Sequence, residues 1–161
     1  MPTPEEIRQM EHMHTKMSYN RIGDLIYAGN NMCCQGHFEE ELLSKGITAD
    51  ISLEAEKLDN PQGVNYFFWF PWMEDTAPTM ELIELALDVL DDLIKKNIKT
   101  YIHCRNGHGR TTTFLAAYFI CKKGISTDEA LAIVKEKRPS GHLNEIQKQF
   151  LIEFERRIKK S

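Results

Sequence analysis

The segment His103-Cys104-Arg105-Asn106-Gly107-His108-Gly109-Arg110-Thr111 sets a thiol and a guanidinium six residues apart with two glycines between them. Ile98-Lys-Thr-Tyr-Ile leads into it and reads as a strand; Thr113-Phe-Leu-Ala-Ala-Tyr-Phe-Ile leads out and reads as a helix. A strand-to-helix turn exposes the unpaired N–H groups and positive dipole end of the helix, where anions settle. Gly107 and Gly109 let the backbone curl so that successive N–H groups point inward. Arg110 adds a planar fork that can hold two oxygens of a phosphate. The loop is therefore a cradle for an oxyanion, with Arg105, Asn106, Gly107, His108, Gly109 and Arg110 as its substrate-binding residues.

Cys104 stands at the base of that cradle. The N–H groups and Arg110 would stabilise a thiolate, the nucleophilic form of cysteine. A phosphate held above a thiolate is placed for in-line attack, formation of a cysteinyl-phosphate and release by water. His103 could fix the loop by bonding its backbone. Thr111 could donate to the sulfur and make it a better leaving group in the second step. Singly, these residues have bland readings: a lone cysteine is usually a small core residue, and a glycine-rich turn is usually only a turn. Together, in a strand–turn–helix setting, they specify a phosphate-binding catalytic loop.

The elements that must position this loop alternate along the chain. Arg21 to Gly29 reads as a short strand, residues 36 to 44 as a helix ending at Lys45-Gly46, and Ile47 to Leu53 as a second strand. Val64-Asn-Tyr-Phe-Phe-Trp-Phe, dense in aromatics, reads as a buried third strand ended by Pro71. Pro71 to Pro78 reads as a loop. Thr79 caps a helix running to about Lys96, with Leu82, Ile83, Ala86, Leu87, Leu90, Leu93 and Ile94 on its apolar face. The strand of residues 98 to 103 follows, then the quoted turn and its helix. Ser126-Thr-Asp-Glu129 fits a capping box for a helix that Pro139 stops after Arg138. The last helix carries Ile146, Phe150, Leu151, Phe154 and Ile158 on one stripe, expected to be its core face. Strands alternating with helices predict an α/β domain with a central mixed, mostly parallel sheet of four to five strands flanked by helices.

The 161 residues suit one catalytic domain, with residues 1–17 as a helical N-terminal arm. Apolar content of 42% and charged content of 27% are ordinary for a globular protein. No apolar run approaches a membrane span, and the polar N-terminus resembles neither a signal nor a transit peptide, so a cytoplasmic location is expected. Cys33, Cys34, Cys104 and Cys121 lack metal-ligating spacing and are expected as free thiols. The net charge of −4 gives no case for nucleic acid. Residues 122–161 hold ten Lys or Arg against six Asp or Glu, read as a solvated basic helix face, with docking of an acidic partner as the other reading.

The segment His103 to Thr111 resembles the HCx5R signature of protein tyrosine phosphatases, and the chain's size resembles the dual-specificity branch. Tyr19 to Gly29 and Gly46 to Glu56 are similar to that branch's first two strands. Arg138-Pro-Ser, Asn144-x-x-Gln147 and Phe150-Leu151 resemble its closing segment. The resemblance implies a central sheet with flanking helices, no metal or other cofactor, and a two-step cysteinyl-phosphate mechanism. It also implies a general acid on a loop about thirty residues before the cysteine, which here is Trp72-Met-Glu-Asp-Thr-Ala-Pro78. Residue type favours Asp75, the assignment adopted; spacing from Pro78 favours Glu74. Met73 stands where the family pattern has a proline, so the register of the two acids stays open.

The function expected is hydrolysis of phosphotyrosine, with phosphoserine and phosphothreonine as further substrates, by a monomer. Arg105 and His108 occupy positions where phosphoinositide-phosphatase relatives carry basic residues, so an inositol phosphate or phosphoinositide is the alternative substrate. A phosphate-binding module without turnover is the second alternative, against which an intact Cys104 and Arg110 argue.

Overall fold

Polarity is unevenly spread along the strands, and this orders the sheet. Residues 1–6, 17–31 and 40–160 are described by the computed structural model. Five strands line up as β1 (Tyr19–Arg21), β2 (Ile26–Gly29), β5 (Lys99–His103), β3 (Ile47–Glu54) and β4 (Tyr66–Trp72), in that spatial order. Only the β1–β2 pair is antiparallel; the other three pairings are parallel. The helices are α1 (Glu40–Ser44), α2 (Met80–Lys95), α3 (Gly109–Lys123), α4 (Thr127–Lys137) and α5 (Glu145–Lys160). The mixed, mostly parallel five-stranded sheet is the one expected.

β3 and β5 are central and buried along nearly their whole length. Side chains alternate across a strand. Ala49, Ile51 and Leu53 of β3 therefore share one face and join the main core with Ile102, Phe114, Leu115, Leu90, Leu151 and Phe154. Asp50, Ser52 and Glu54 share the other face, and all three are buried. A polar face on a central strand costs free energy unless its groups are partnered, which marks it as more than scaffold.

Several expectations are corrected. Residues 21–29 are not one strand: Arg21 closes β1, the chain turns through Gly23 to Leu25, and β2 returns antiparallel with Tyr19 opposite Gly29. The aromatic strand is not buried throughout but forms the sheet's edge, with Tyr66 47% and Trp69 38% exposed. Aromatic rings suit a half-wet edge, where Phe68 and Phe70 pack against the core and Trp69 donates through Nε1 to Glu54 O at 2.8 Å. Pro71 does not end β4, because an edge strand has positions where no N–H is required. Ile146 is 60% exposed rather than in the core, while Phe150, Leu151 and Phe154 of the same helix are buried. The helix expected over 36–44 is seen as Glu40–Ser44; its first part, Cys33, Cys34 and most of the expected N-terminal arm lie outside the described residues.

The helix ends follow their caps. Thr79 Oγ1 accepts from Leu82 N at 3.0 Å, and Ser126 Oγ from Glu129 N at 3.1 Å. α3 is buried over most of its surface and packs between the sheet, α4 and α5, so its N-terminus, which carries the loop, is fixed from every side. Among the described residues no helix is long and apolar enough to cross a membrane.

Candidate active site

β5 ends at His103 and α3 begins at Gly109, so residues 104–108 form the loop at the carboxyl edge of the sheet. In an open α/β sheet that edge is where ligands bind. Gly107 has φ 72°. A Cβ there would lie 2.5 Å from Arg138 Nη2 and from the Gly29 carbonyl carbon, so glycine is required by conformation and by space. Arg138 is wholly buried and clamps the same residue: its Nε donates to Gly107 O at 2.7 Å and its Nη1 to Asn20 Oδ1 at 2.8 Å. No side chain caps the N-terminus of α3, which leaves its N–H groups to the loop.

The buried Cys104 Sγ receives two hydrogen bonds, from Gly107 N at 3.2 Å and from Thr111 Oγ1 at 3.1 Å. Both donors favour a sulfur that carries negative charge. Arg110 is buried and held by three contacts. Nη1 donates to Glu56 Oε1 at 2.6 Å and to Trp72 O at 2.7 Å, and Nη2 donates to Glu56 Oε2 at 3.0 Å. The pair is bidentate and fixes the plane of the guanidinium. The Nε edge makes no hydrogen bond among the described residues and remains for a ligand. Burial opposes the charge on each partner, yet the pairing dominates: Arg110 is held above its ordinary pKa and Glu56 below its own.

The acid loop faces this cradle. Thr76 O accepts from Trp72 Nε1 at 2.7 Å and from Gln147 Nε2 at 3.2 Å, while Asn144 Nδ2 donates to Asp75 O at 2.9 Å. Asn144 and Gln147 in turn bond each other across the start of α5. That helix therefore ties the acid loop to the phosphate loop. Glu74 and Asp75 both line a cleft of about 220 Å³ together with Cys104, Asn106, His108, Gly109 and Arg110. Their attachments differ. Glu74 Oε1 accepts from Asn106 Nδ2 at 3.3 Å, placing its carboxylate on the loop. Asp75 sits in the left-handed region at φ 63° and engages Asn144 through its backbone.

Of the residues expected to bind substrate, Arg105 is exposed and does not line the cleft; its carbonyl accepts from Asn31 N at 3.1 Å. His103 does not bond the loop backbone. Its Nε2 lies 3.0 Å from Asp50 Oδ1, bonds Asp50 Oδ2 at 3.3 Å, and lies 3.8 Å from Asp59 Oδ2. Burial opposes protonation of His103, but the Asp50 and Asp59 carboxylates outweigh it and push its pKa up to about 9. Burial pushes the Asp50 and Glu54 carboxyls up as well.

Glu56, His142 and the polar trio Asp50, Ser52 and Glu54 were not singled out from the sequence. Glu56 belongs to a stretch noted only for its likeness to a strand, and nothing local says that it meets an arginine 54 positions on. His142 packs its ring on His108 at 4.9 Å between centroids, at the mouth of the cleft. Asp50, Ser52 and Glu54 did carry a signal: polar residues at alternate positions of a strand flanked by apolar ones. Cys104 and Cys121 are free thiols, as expected.

A family model described as "Dual specificity phosphatase, catalytic domain" matches residues 26–157. The chain is 31% identical over 78 residues to phosphatidylglycerophosphate phosphatase PTPMT1 of Arabidopsis thaliana, covering 48% of this chain and 23% of that protein. It is 24% identical over 122 residues to protein-tyrosine-phosphatase MKP1 of Arabidopsis thaliana, covering 74% of this chain and 15% of that protein. The chain thus spans less than a quarter of the length of either relative. Among solved structures, Tk-PTP in the active form is similar with a TM-score of 0.74 at 26% identity, covering 88% of this chain and 98% of that one. With the family match running from β2 into α5 and across the whole phosphate-binding loop, the chain belongs to the dual specificity phosphatase catalytic-domain family.

Proposed function

We propose that the chain is a cysteine-dependent phosphomonoesterase that hydrolyses phosphotyrosine, and phosphoserine or phosphothreonine, in proteins. The observation that carries this is the Cys104 sulfur, bonded by Gly107 N and Thr111 Oγ1 at the base of a cleft that also holds Arg110 and two carboxylates. The sulfur attacks phosphorus as the ester P–O bond breaks, and an acid gives the leaving oxygen its proton. Water then attacks the cysteinyl-phosphate, the same carboxylate takes a proton from that water, and the P–S bond breaks to release phosphate and the thiolate. Thr111 eases the last step by stabilising the departing sulfur.

A second reading, hydrolysis of an inositol phosphate or a phosphoinositide, has support from two sides. His108 and His142 meet at the cleft mouth with their rings tilted by 38°, where a second phosphate of a substrate would lie. PTPMT1, a protein of the same fold, has been solved in complex with PI(5)P. Against it, burial and then the neighbouring His142 and Arg138 lower the His108 pKa, so near neutral pH this ring offers a donor rather than a charge. A phosphotyrosine peptide, a phosphoinositide and a soluble inositol polyphosphate, compared by kcat/KM, test the proposal. The peptide is expected to lead. A clear lead of either inositol substrate overturns the protein-phosphatase reading, and no turnover of any overturns the enzymatic one.

Glu74 is the proton donor that the geometry favours over Asp75, because its carboxylate reaches the phosphate loop through Asn106. General acids contribute about 10²–10⁴-fold, and most where the leaving group is a poor one. Glu74→Gln is therefore expected to lose about that factor on an alkyl phosphate and much less on p-nitrophenyl phosphate. Asp75→Asn should lose little on either. The reverse pattern assigns the acid to Asp75, as residue type suggested, and equal small losses in both variants remove the acid from this loop.

A further inference from the structure

Behind the catalytic loop lies a polar cluster that the reaction does not use. Glu54 ends β3, Asp59 lies on the connection to β4, and His103 ends β5; all three are buried, and a ligating atom from each lies within 4.8 Å of those from the other two. Asp50, one alternation before Ser52 on β3, adds a fourth buried group, its Oδ1 3.0 Å from His103 Nε2. Two carboxylate oxygens, Asp50 Oδ1 and Asp59 Oδ2, are sealed from solvent, lack a hydrogen-bond partner and converge on that imidazole nitrogen at 3.0 and 3.8 Å. Asn31 Nδ2 bonds Glu54 Oε2 at 2.8 Å and Asp59 Oδ1 at 3.4 Å, turning both acids toward the cluster.

Three carboxylates and one imidazole cannot share a dry site as free ions. Fully ionised they carry −3, against at most +1 from His103, and the Arg110 guanidinium is engaged by Glu56. A divalent cation resolves both the charge and the orphaned oxygens. Ligands held at roughly 2.0–2.2 Å from one ion stand about 3–4 Å apart. Here Asp50 Oδ1 and Asp59 Oδ2 stand 3.0 and 3.8 Å from His103 Nε2, and the Glu54, Asp59 and His103 atoms all lie within 4.8 Å of one another. One imidazole among carboxylates suits a first-row transition ion better than calcium, which takes six to eight oxygens, or magnesium, which keeps several waters. We propose that Glu54, Asp59 and His103, with Asp50 as the fourth group in reach, bind a divalent transition-metal ion behind the phosphate-binding loop. The ion occupies the place of the His103 Nε2 proton and ties the ends of β3 and β5 and the β3–β4 connection together. Its role is structural, and it holds the residue beside Cys104 in place.

The full chain, incubated separately with Mn²⁺ and Zn²⁺ and then desalted, is expected to retain about one ion per chain and to melt several degrees higher than the chelator-treated protein. Because a thiolate also binds zinc, the same measurements on Cys104→Ser must give the same ion. Glu54→Gln and Asp59→Asn should each cut retention at least tenfold and abolish the melting response to metal, while folding as well as the metal-free protein because each removes a crowded charge. If those variants fail to fold, an anomalous scattering peak at the zinc edge between His103, Glu54 and Asp59 in wild-type crystals supports the site. Failure of the wild type to retain either ion, loss of the ion in Cys104→Ser, retention undiminished in folded Glu54→Gln, or an anomalous peak elsewhere overturns it.

Discussion

Cys104→Ser is expected to lose hydrolysis by a factor of at least ~10⁴, equivalent to ~5 kcal/mol of transition-state stabilisation, while keeping its fold and its affinity for phosphate. The reasons lie in the two donors. Gly107 N and Thr111 Oγ1 stand 3.2 and 3.1 Å from the sulfur, distances suited to a large, charged atom. A serine hydroxyl keeps its proton at neutral pH, and the imidazole beside it in sequence, His103, faces Asp50 instead. The stability cost is small, because the same donors can satisfy the new hydroxyl. Phosphate affinity survives because Arg110 and the backbone of α3 are untouched. Calorimetric binding of a phosphopeptide to the serine variant, beside its turnover measured to the limit of detection, separates the two effects. Substantial hydrolysis by a clean preparation would remove the covalent mechanism, and loss of binding together with activity would mean that the sulfur is structural.

The parts of this site that could be read from the chain are the ones whose logic is local. Gly107 between a thiol and an arginine is required by a curl of four residues, so its type and spacing report its role. The caps at Thr79 and Ser126 are read in the same way, each through a hydrogen bond to a residue three positions on. Glu56 is different. It meets Arg110 only because β3 and β5 are paired in parallel and both chains leave the sheet at the same edge. Arg138 is further still, reaching Asn20 across 118 positions. Contacts of that kind depend on strand order, which the local pattern of residues does not specify. The aromatic segment reads as buried from its composition, yet it forms the sheet's edge: Phe68 and Phe70 pack against the core while Tyr66 and Trp69 stay exposed. Central position was instead reported by β3, whose polar residues at 50, 52 and 54 hid the continuous burial of both its faces. The acidic alternation that misleads a reading based on hydropathy is itself the trace of the buried cluster around His103.

Arg110→Lys is expected to reduce kcat by roughly 10³-fold, ~4 kcal/mol, with a smaller effect on KM and little change in melting temperature. Lysine keeps the charge, so any role that is purely electrostatic would survive the substitution. What is lost is the plane. Glu56 grips Nη1 and Nη2 at 2.6 and 3.0 Å, and Trp72 O fixes Nη1 from a third direction at 2.7 Å. That grip leaves the Nε edge aimed as a rigid two-point donor before any substrate arrives. An ammonium bonded to Glu56 has no second edge to present, and one turned toward the phosphate abandons Glu56. Charge on the transferring phosphoryl oxygens is spread and reoriented in the transition state, so the loss falls on kcat more than on ground-state binding. Glu56 keeps a quarter of its side chain exposed, so water can solvate the carboxylate that Lys leaves behind, and folding is little affected. Glu56→Gln makes the complementary case: it keeps the arginine but weakens the grip, and should show an intermediate loss with the same bias toward kcat. Near-normal kcat in Arg110→Lys would reduce Arg110 to a buried strut that joins the loop to β3 and β4, and would leave the helix N-terminus alone to stabilise the transferring phosphoryl group.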